Sequence, residues 1–210
     1  MIRQATMTRS QFFAWVRRHT EGVGSVVEFG AGFFDRLQHV HPSVQNKIGI
    51  EIWQPYIDNA KYHDCTKIQG DILQFEILLP TDSRYGCALF IDVLEHLEKD
   101  AAIDLIRRVQ ARMDKILVMV PDGEHPQDRD VTGFGAHEYQ THRSVWRPHE
   151  IEALGFQDIH VDPTFFARTK PHLKDPGSMF AIWSAAAWRR RTYRKGAKAA
   201  GLTPASMREG

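Results

Sequence analysis

Cysteine is scarce in this chain of 210 residues: only Cys65 and Cys87 are present, and their separation is not that of metal ligands. Two thiols cannot build a disulfide framework, and they argue against a structural zinc and against a secreted scaffold. No uninterrupted apolar run approaches the roughly 20 residues needed to cross a bilayer. The opening MIRQATMTRSQ also lacks an apolar stretch followed by a small-residue cleavage site, so the expected location is the cytoplasm. Net charge is low as well, at +1, but it is unevenly placed. Residues 189–210 hold seven Lys/Arg against Glu209, a balance of +6 that leaves −5 on residues 1–188. An acidic main body excludes a whole-domain basic footprint for nucleic acid, so any polyanion binding belongs to the tail. The tail itself reads as a solvated extension, with RNA, an acidic partner or a membrane surface as other readings.

What the chain does contain is one domain's worth of alternating strand and helix patterns, expected over residues 1–188 with the tail at 189–210. A helix is predicted over 10–20 behind Ser10, a strand over 25–29, a brief amphipathic stretch over 33–40 and a strand over 47–51. A helix over 55–62 and a strand over 66–69 complete a βαβαβ rhythm. The run CALFI at 87–91 is apolar throughout, as a strand buried on both faces of a parallel sheet should be. From Leu94 onward Leu97, Ala101, Leu105, Val109 and Met113 recur every three or four residues, which predicts a long helix. A buried strand at 116–120 is expected to stop at Pro121. A helix over 147–154 and strands over 157–161 and 179–183 follow, and there is no internal repeat. Residues 122–146, polar and rich in Gly and His but containing Phe134, Tyr139 and Trp146, are too long for a simple connection and read as a folded active-site loop.

In an open parallel sheet, ligands bind beyond the carboxyl ends of the strands. Here those ends carry Glu28, Gly30 and Gly32, then Glu51, Asp71 and Asp92. The two glycines let a ligand approach the backbone, and Glu51 falls 21 residues after Gly30, near the offset at which a carboxylate reaches both hydroxyls of a ribose. A nicotinamide dinucleotide fits poorly, because Asp35 stands where its fingerprint requires a third glycine and would face the pyrophosphate. A positively charged ligand with a ribose and an adenine but no phosphate suits these acidic ends better.

On these residues the chain resembles the class I S-adenosylmethionine-dependent methyltransferases. VVEFGAG at 26–32 is similar to their first motif, GIE at 49–51 to the acidic end of their second strand, GDI at 70–72 to the adenine-contacting turn, and FIDVLEHL at 90–97 to their fourth motif. The resemblance covers residues 24–121 and extends more loosely to 183. It implies a doubly wound, mostly parallel, seven-stranded Rossmann-like sheet whose last strand is antiparallel. It also implies S-adenosylmethionine as cofactor, with Glu28, Gly30 and Gly32 lining its methionine part, Glu51 on the ribose, Asp71 and Ile72 at the adenine, and Asp92 near the methyl end. Phe33 and Phe34 depart from the family, in which a small residue and a third glycine are common.

The acceptor expected is a hydroxyl of a small molecule or glycan, with RNA methylation through the tail and a cofactor-binding, non-catalytic role as the alternatives. A hydroxyl acceptor calls for a base. His125, His137 and His142 of the long loop are the candidates, His125 first because it follows the fifth predicted strand most closely. Asp128 and Glu138 are possible orienting carboxylates, and Tyr139, Arg143 and Trp146 possible acceptor walls. Asp92, Glu95 and His96 form a D-x-x-E-H cluster of a kind that can bind a divalent cation. Because Glu95 equally suits a helix N-terminus, no metal is assigned. The chain shows neither the (D/N)PP(Y/F) motif of amino-group DNA methyltransferases nor a Pro-Cys nucleophile.

Overall fold

Side-chain alternation sorts the apolar strands onto two hydrophobic layers. In β2 (Ser25–Phe29), Val27 and Phe29 join one cluster and Val26 the other. In β5 (Tyr85–Ile91), Ala88 and Phe90 face the first cluster, while Cys87, Leu89 and Ile91 face the second. β6 (Met113–Asp122) divides likewise, with Ile116, Val118 and Val120 against Leu117 and Met119. Both faces must therefore be covered, which is the requirement of a parallel sheet. The structure, a computed structural model, describes residues 2–80, 83–165 and 177–189. Residues 190–210, nearly all of the basic tail, lie outside the described residues.

β3 (Asn46–Glu51) and β4 (Thr66–Gln69) extend the sheet on one side of β2, and β7 (Gln157–Asp162) and β8 (Gly177–Ser184) extend it beyond β6. With β1 at Ile2–Gln4, the strand order is β1-β7-β8-β6-β5-β2-β3-β4, with β8 antiparallel to both neighbours and every other pair parallel. Among the described residues there are eight strands where the sequence pattern gives seven. The addition is β1 (Ile2–Gln4), whose three residues pair with Ile159, His160 and Val161 at the sheet edge and are too few to show a period.

Two helices cover opposite faces. α1 (Arg9–His19) buries Phe12, Trp15 and Val16 in the second cluster. Its cap is Thr8 rather than Ser10: Thr8 Oγ1 accepts from the Gln11 amide at 3.2 Å and Gln11 returns a carbonyl to the Thr8 amide at 2.8 Å, a capping box. On the other face α4 (Lys99–Arg112) buries Ala102, Leu105, Ile106 and Val109, one stripe at helical spacing. α4 starts later than its periodicity implies. Leu94, Glu95 and His96 form an isolated 3₁₀ turn, because the Glu95 carbonyl, which a continuous helix would give to residue 99, accepts instead from the amides of Arg143 (2.7 Å) and Ser144 (3.1 Å). α2 (Gln54–Asp58) is likewise shorter than expected. β6 runs past Pro121, where Pro121 and Asp122 pair with Ser178 and Gly177 of β8.

The chain leaves β2 toward β3 and β4 on one side and returns through β5 and β6 on the other. The carboxyl ends of β2 and β5 therefore diverge, and the crevice between them is the place where doubly wound sheets bind ligands.

Candidate functional site

The turn after β2 is built on three left-handed residues. Gly30 has φ +67°, and a Cβ there would stand 2.5 Å from Val93 Cγ2, so only glycine lets the turn lie against the end of β5. Gly32 has φ +54°. Phe34, at the position of the missing third glycine, also takes φ +61° with its ring fully buried. A left-handed conformation costs a bulky residue roughly 1–2 kcal/mol. The ring offsets that by filling the space beside Gly49, where a Cβ would lie 2.5 Å from it. The departure from the motif is thus accommodated by a second glycine on the neighbouring strand.

A cavity of about 570 Å³ opens above these strand ends, within the range of small-molecule sites. Gly30, Gly32, Glu51, Asp71, Ile72 and Asp92 all line it. Glu51 is 5% exposed and accepts from the Gly32 amide at 2.7 Å and the Trp53 amide at 2.9 Å, one on each oxygen, tying the glycine turn to the approach to α2. Burial raises its carboxyl above the usual value, against these backbone bonds. With the Gly32 and Trp53 amides on separate oxygens, the carboxylate keeps acceptor capacity for a further donor. Asp71 caps the turn that follows it, Oδ1 accepting from the Leu73 amide at 2.9 Å.

Glu28 differs from its expected place. It is 1% exposed and lies behind the wall, 3.9 Å from Nη1 of Arg36, and it is Arg36 that lines the cavity. Burial pushes the Glu28 carboxyl up to about 8, outweighing the nearby guanidinium. Arg36 Nη2 also stands 3.8 Å from Asp92 Oδ2. Burial disfavours its charge, but Glu28, Asp92, Asp35 and Glu95 together favour it more strongly. The sequence offers one signal for Arg36, a cation four residues past Gly32 amid strand-end acids. Asp92 has φ +53°, a strained conformation for a non-glycine residue and a recurrent feature of functional sites.

Residues 122–146 fold over the cavity. Asp130 organises the segment, accepting from Thr132, Gly135 and Ala136. Tyr56 and Thr132 hydroxyls meet at 2.8 Å, the Trp53 indole donates to the Phe134 carbonyl at 2.9 Å, and the Phe134 ring packs against Phe33 and Tyr56. α5 (His137–Gln140) brings Tyr139 against Trp53. His125 and His142 line the cavity with Tyr139 and Arg143. His137 opens α5 and its side chain lies outside what is described. Trp146 belongs to the core, 1% exposed, beneath the Lys99 ammonium.

Glu95 is not at the start of α4, which begins four residues later. Its side chain is 3% exposed, and burial beside Asp92 raises its carboxyl well above the ordinary value. His96 and His142 are both held down to about 4, mainly by burial, and are neutral imidazoles at pH 7.

Among the solved structures that share this fold are methyltransferases. The N-terminal domain of EvdMO1 with SAH bound superposes with a TM-score of 0.60 at 12% identity, over 84% of this chain and 80% of that one. The small RNA methyltransferase HEN1 gives 0.58 at 18% identity, over 84% of this chain but only 25% of HEN1. The N-methyltransferase NodS from Bradyrhizobium japonicum WM9 gives 0.58 at 13% identity, over 84% and 93%. The fold is therefore the Rossmann-like fold of the S-adenosylmethionine-dependent methyltransferases. No family model and no curated protein matches the sequence. Among the described residues no helix is long and apolar enough to cross a membrane.

Proposed function

We propose that the chain is an S-adenosylmethionine-dependent methyltransferase that methylates a hydroxyl group of a small molecule or glycan. The observation that carries this reading is the convergence of Gly30, Gly32, Glu51, Asp71 and Asp92, from four strand ends, on one cavity of suitable size. The residues fit the cofactor. Glu51 has acceptor capacity left for the ribose hydroxyls, Asp71 Oδ2 and Ile72 face an adenine, and Arg36 offers a guanidinium to the carboxylate of the methionine part. Glu28 lies beneath Arg36, 3.9 Å from its Nη1, rather than against the ligand. When bound, the cofactor supplies an electrophilic methyl group on a sulfonium.

The chain's own work is alignment of acceptor oxygen, methyl and sulfur. Residues 122–146 wall the acceptor side, and His125, which lines the same cavity, takes the acceptor's proton. The test pairs calorimetry with S-adenosylhomocysteine, expected to bind one molecule per chain, with a labelled-methyl assay over panels of sugars, phenols, amines and RNA oligonucleotides. Transfer to sugars or phenols supports the hydroxyl acceptor. Transfer only to amines or RNA overturns that part, and failure to bind the nucleoside overturns the whole.

A further inference from the structure

From the sequence alone D-x-x-E-H takes no metal, but folding brings to it a third donor from 46 residues away. Glu95, His96 and His142 place one carboxylate oxygen and two imidazole nitrogens within 4.8 Å of one another. Ligands 2.0–2.2 Å from one ion stand no more than about 4.4 Å apart, so about an ångström of side-chain adjustment closes the set.

Three features point to a ligand at this place. Oxygen Oε2 of Glu95, in a side chain 3% exposed, is buried with no hydrogen-bond partner, and the Glu95 carboxylate stands beside two imidazoles. An orphaned buried acceptor of this kind calls for an occupant. Both rings are also aimed by their other nitrogen. Nδ1 of His96 faces the Thr141 carbonyl at 3.3 Å, and Nδ1 of His142 faces the His125 carbonyl. A proton donated from Nδ1 to a carbonyl leaves the lone pair on Nε2, the outer arrangement that orients metal-bound histidines. The backbone, finally, is shaped to bring the groups together. The Arg143 and Ser144 amides, next to His142, take the Glu95 carbonyl at the cost of one turn of α4, and Ser144 Oγ donates to the Leu94 carbonyl at 3.0 Å.

The cluster also lies at a junction. Glu95 and His142 line both the large cavity and an adjoining one of about 310 Å³ walled by Glu124, His125 and Arg143. We propose that Glu95, His96 and His142 form a binding site for a first-row divalent transition ion, whose open positions take the acceptor hydroxyl. Two imidazoles and one carboxylate favour Mn, Fe, Co or Zn over Mg or Ca, which prefer all-oxygen sites. In the reaction the ion lowers the hydroxyl's pKa, and the proton passes to His125, which lines both cavities. The O–CH₃ bond forms as the C–S bond breaks, and the sulfur departs as a neutral thioether. That role rests on the proposed function; binding of the ion does not.

The experiment titrates Co²⁺ alone into the full chain without nucleoside, following visible d–d absorption and calorimetric heat. One Co²⁺ per chain is expected, undisplaced by a ~100-fold excess of Mg²⁺. His142→Ala and the near-isosteric Glu95→Gln should each weaken binding by more than the 10- to 100-fold typical of losing an outer partner. Circular dichroism and a cooperative thermal transition on the same variants establish that they are folded. Absence of saturable Co²⁺ binding, or equal affinity in both folded variants, overturns the site. Nucleoside binding without Co²⁺ binding removes the metal and leaves the methyltransferase reading standing, whereas Co²⁺ binding without nucleoside binding does the reverse.

Discussion

Replacing Glu51 by alanine perturbs the cofactor reading at its most constrained residue. In the folded chain its two oxygens accept from the Gly32 and Trp53 amides at 2.7 and 2.9 Å, and on the proposed function the remaining lone pairs take the ribose hydroxyls. Without ligand, water entering the cavity re-pairs the two amides, so the loss of stability should stay near 1 kcal/mol. With ligand, the ribose hydroxyls and the amides lie against a methyl group. Hydrogen bonds to a charged group contribute about 1.5–3 kcal/mol, so the dissociation constant for S-adenosylhomocysteine should rise about 10- to 150-fold. Glu51→Gln keeps the shape and one acceptor oxygen but turns a donor toward one partner, and should fall between wild type and alanine. Calorimetry on both variants, with circular dichroism as the control for folding, decides the matter. An unchanged dissociation constant in folded Glu51→Ala would refute the assignment.

The buried Glu28 predicts a pH signature. Its folded carboxyl titrates near 8 instead of 4.5, so its contribution to stability is fully present below pH 4.5 and is lost as the pH rises through 8. Glu28→Gln should therefore gain on wild type by roughly 1–4 kcal/mol between pH 5 and 8.5 in urea denaturation, and a pH-independent difference would contradict the burial argument. His125→Ala should lower turnover by about 10²- to 10⁴-fold while leaving nucleoside affinity nearly unchanged. The same assay on His137→Ala and His142→Ala ranks the three loop histidines, and full turnover in all three places the base elsewhere. Ending the chain at Trp188 should leave nucleoside binding intact and abolish any salt-sensitive polyanion binding, whereas loss of nucleoside binding would make the tail structural.

The order of strands and helices was readable because a doubly wound sheet writes its pattern locally. The two-sided burial of β5 and β6 needs unbroken apolar runs, and the strand-end acids follow each run directly. What escaped sequence reading depends on contacts between distant segments. Three residues of β1 are too few to show alternation. The late start of α4 follows from a carbonyl claimed by amides 48 and 49 residues further on. Glu28 looked like a wall residue because its position in the motif says nothing of Arg36 closing over it. His142 reaches Glu95 and His96 only through the fold of the loop, so a pair that reads as an ordinary helix start becomes part of a three-ligand cluster.

The central claim is that a nucleoside cofactor sits across the ends of β2, β3, β4 and β5, and the most direct measurement is a crystal structure of the chain with S-adenosylhomocysteine. The adenine is expected beside Asp71 and Ile72, the ribose hydroxyls within hydrogen-bond distance of Glu51, and the sulfur directed toward Asp92 and Glu95. A nucleoside bound elsewhere, or a cavity still empty at saturating ligand, would contradict the claim.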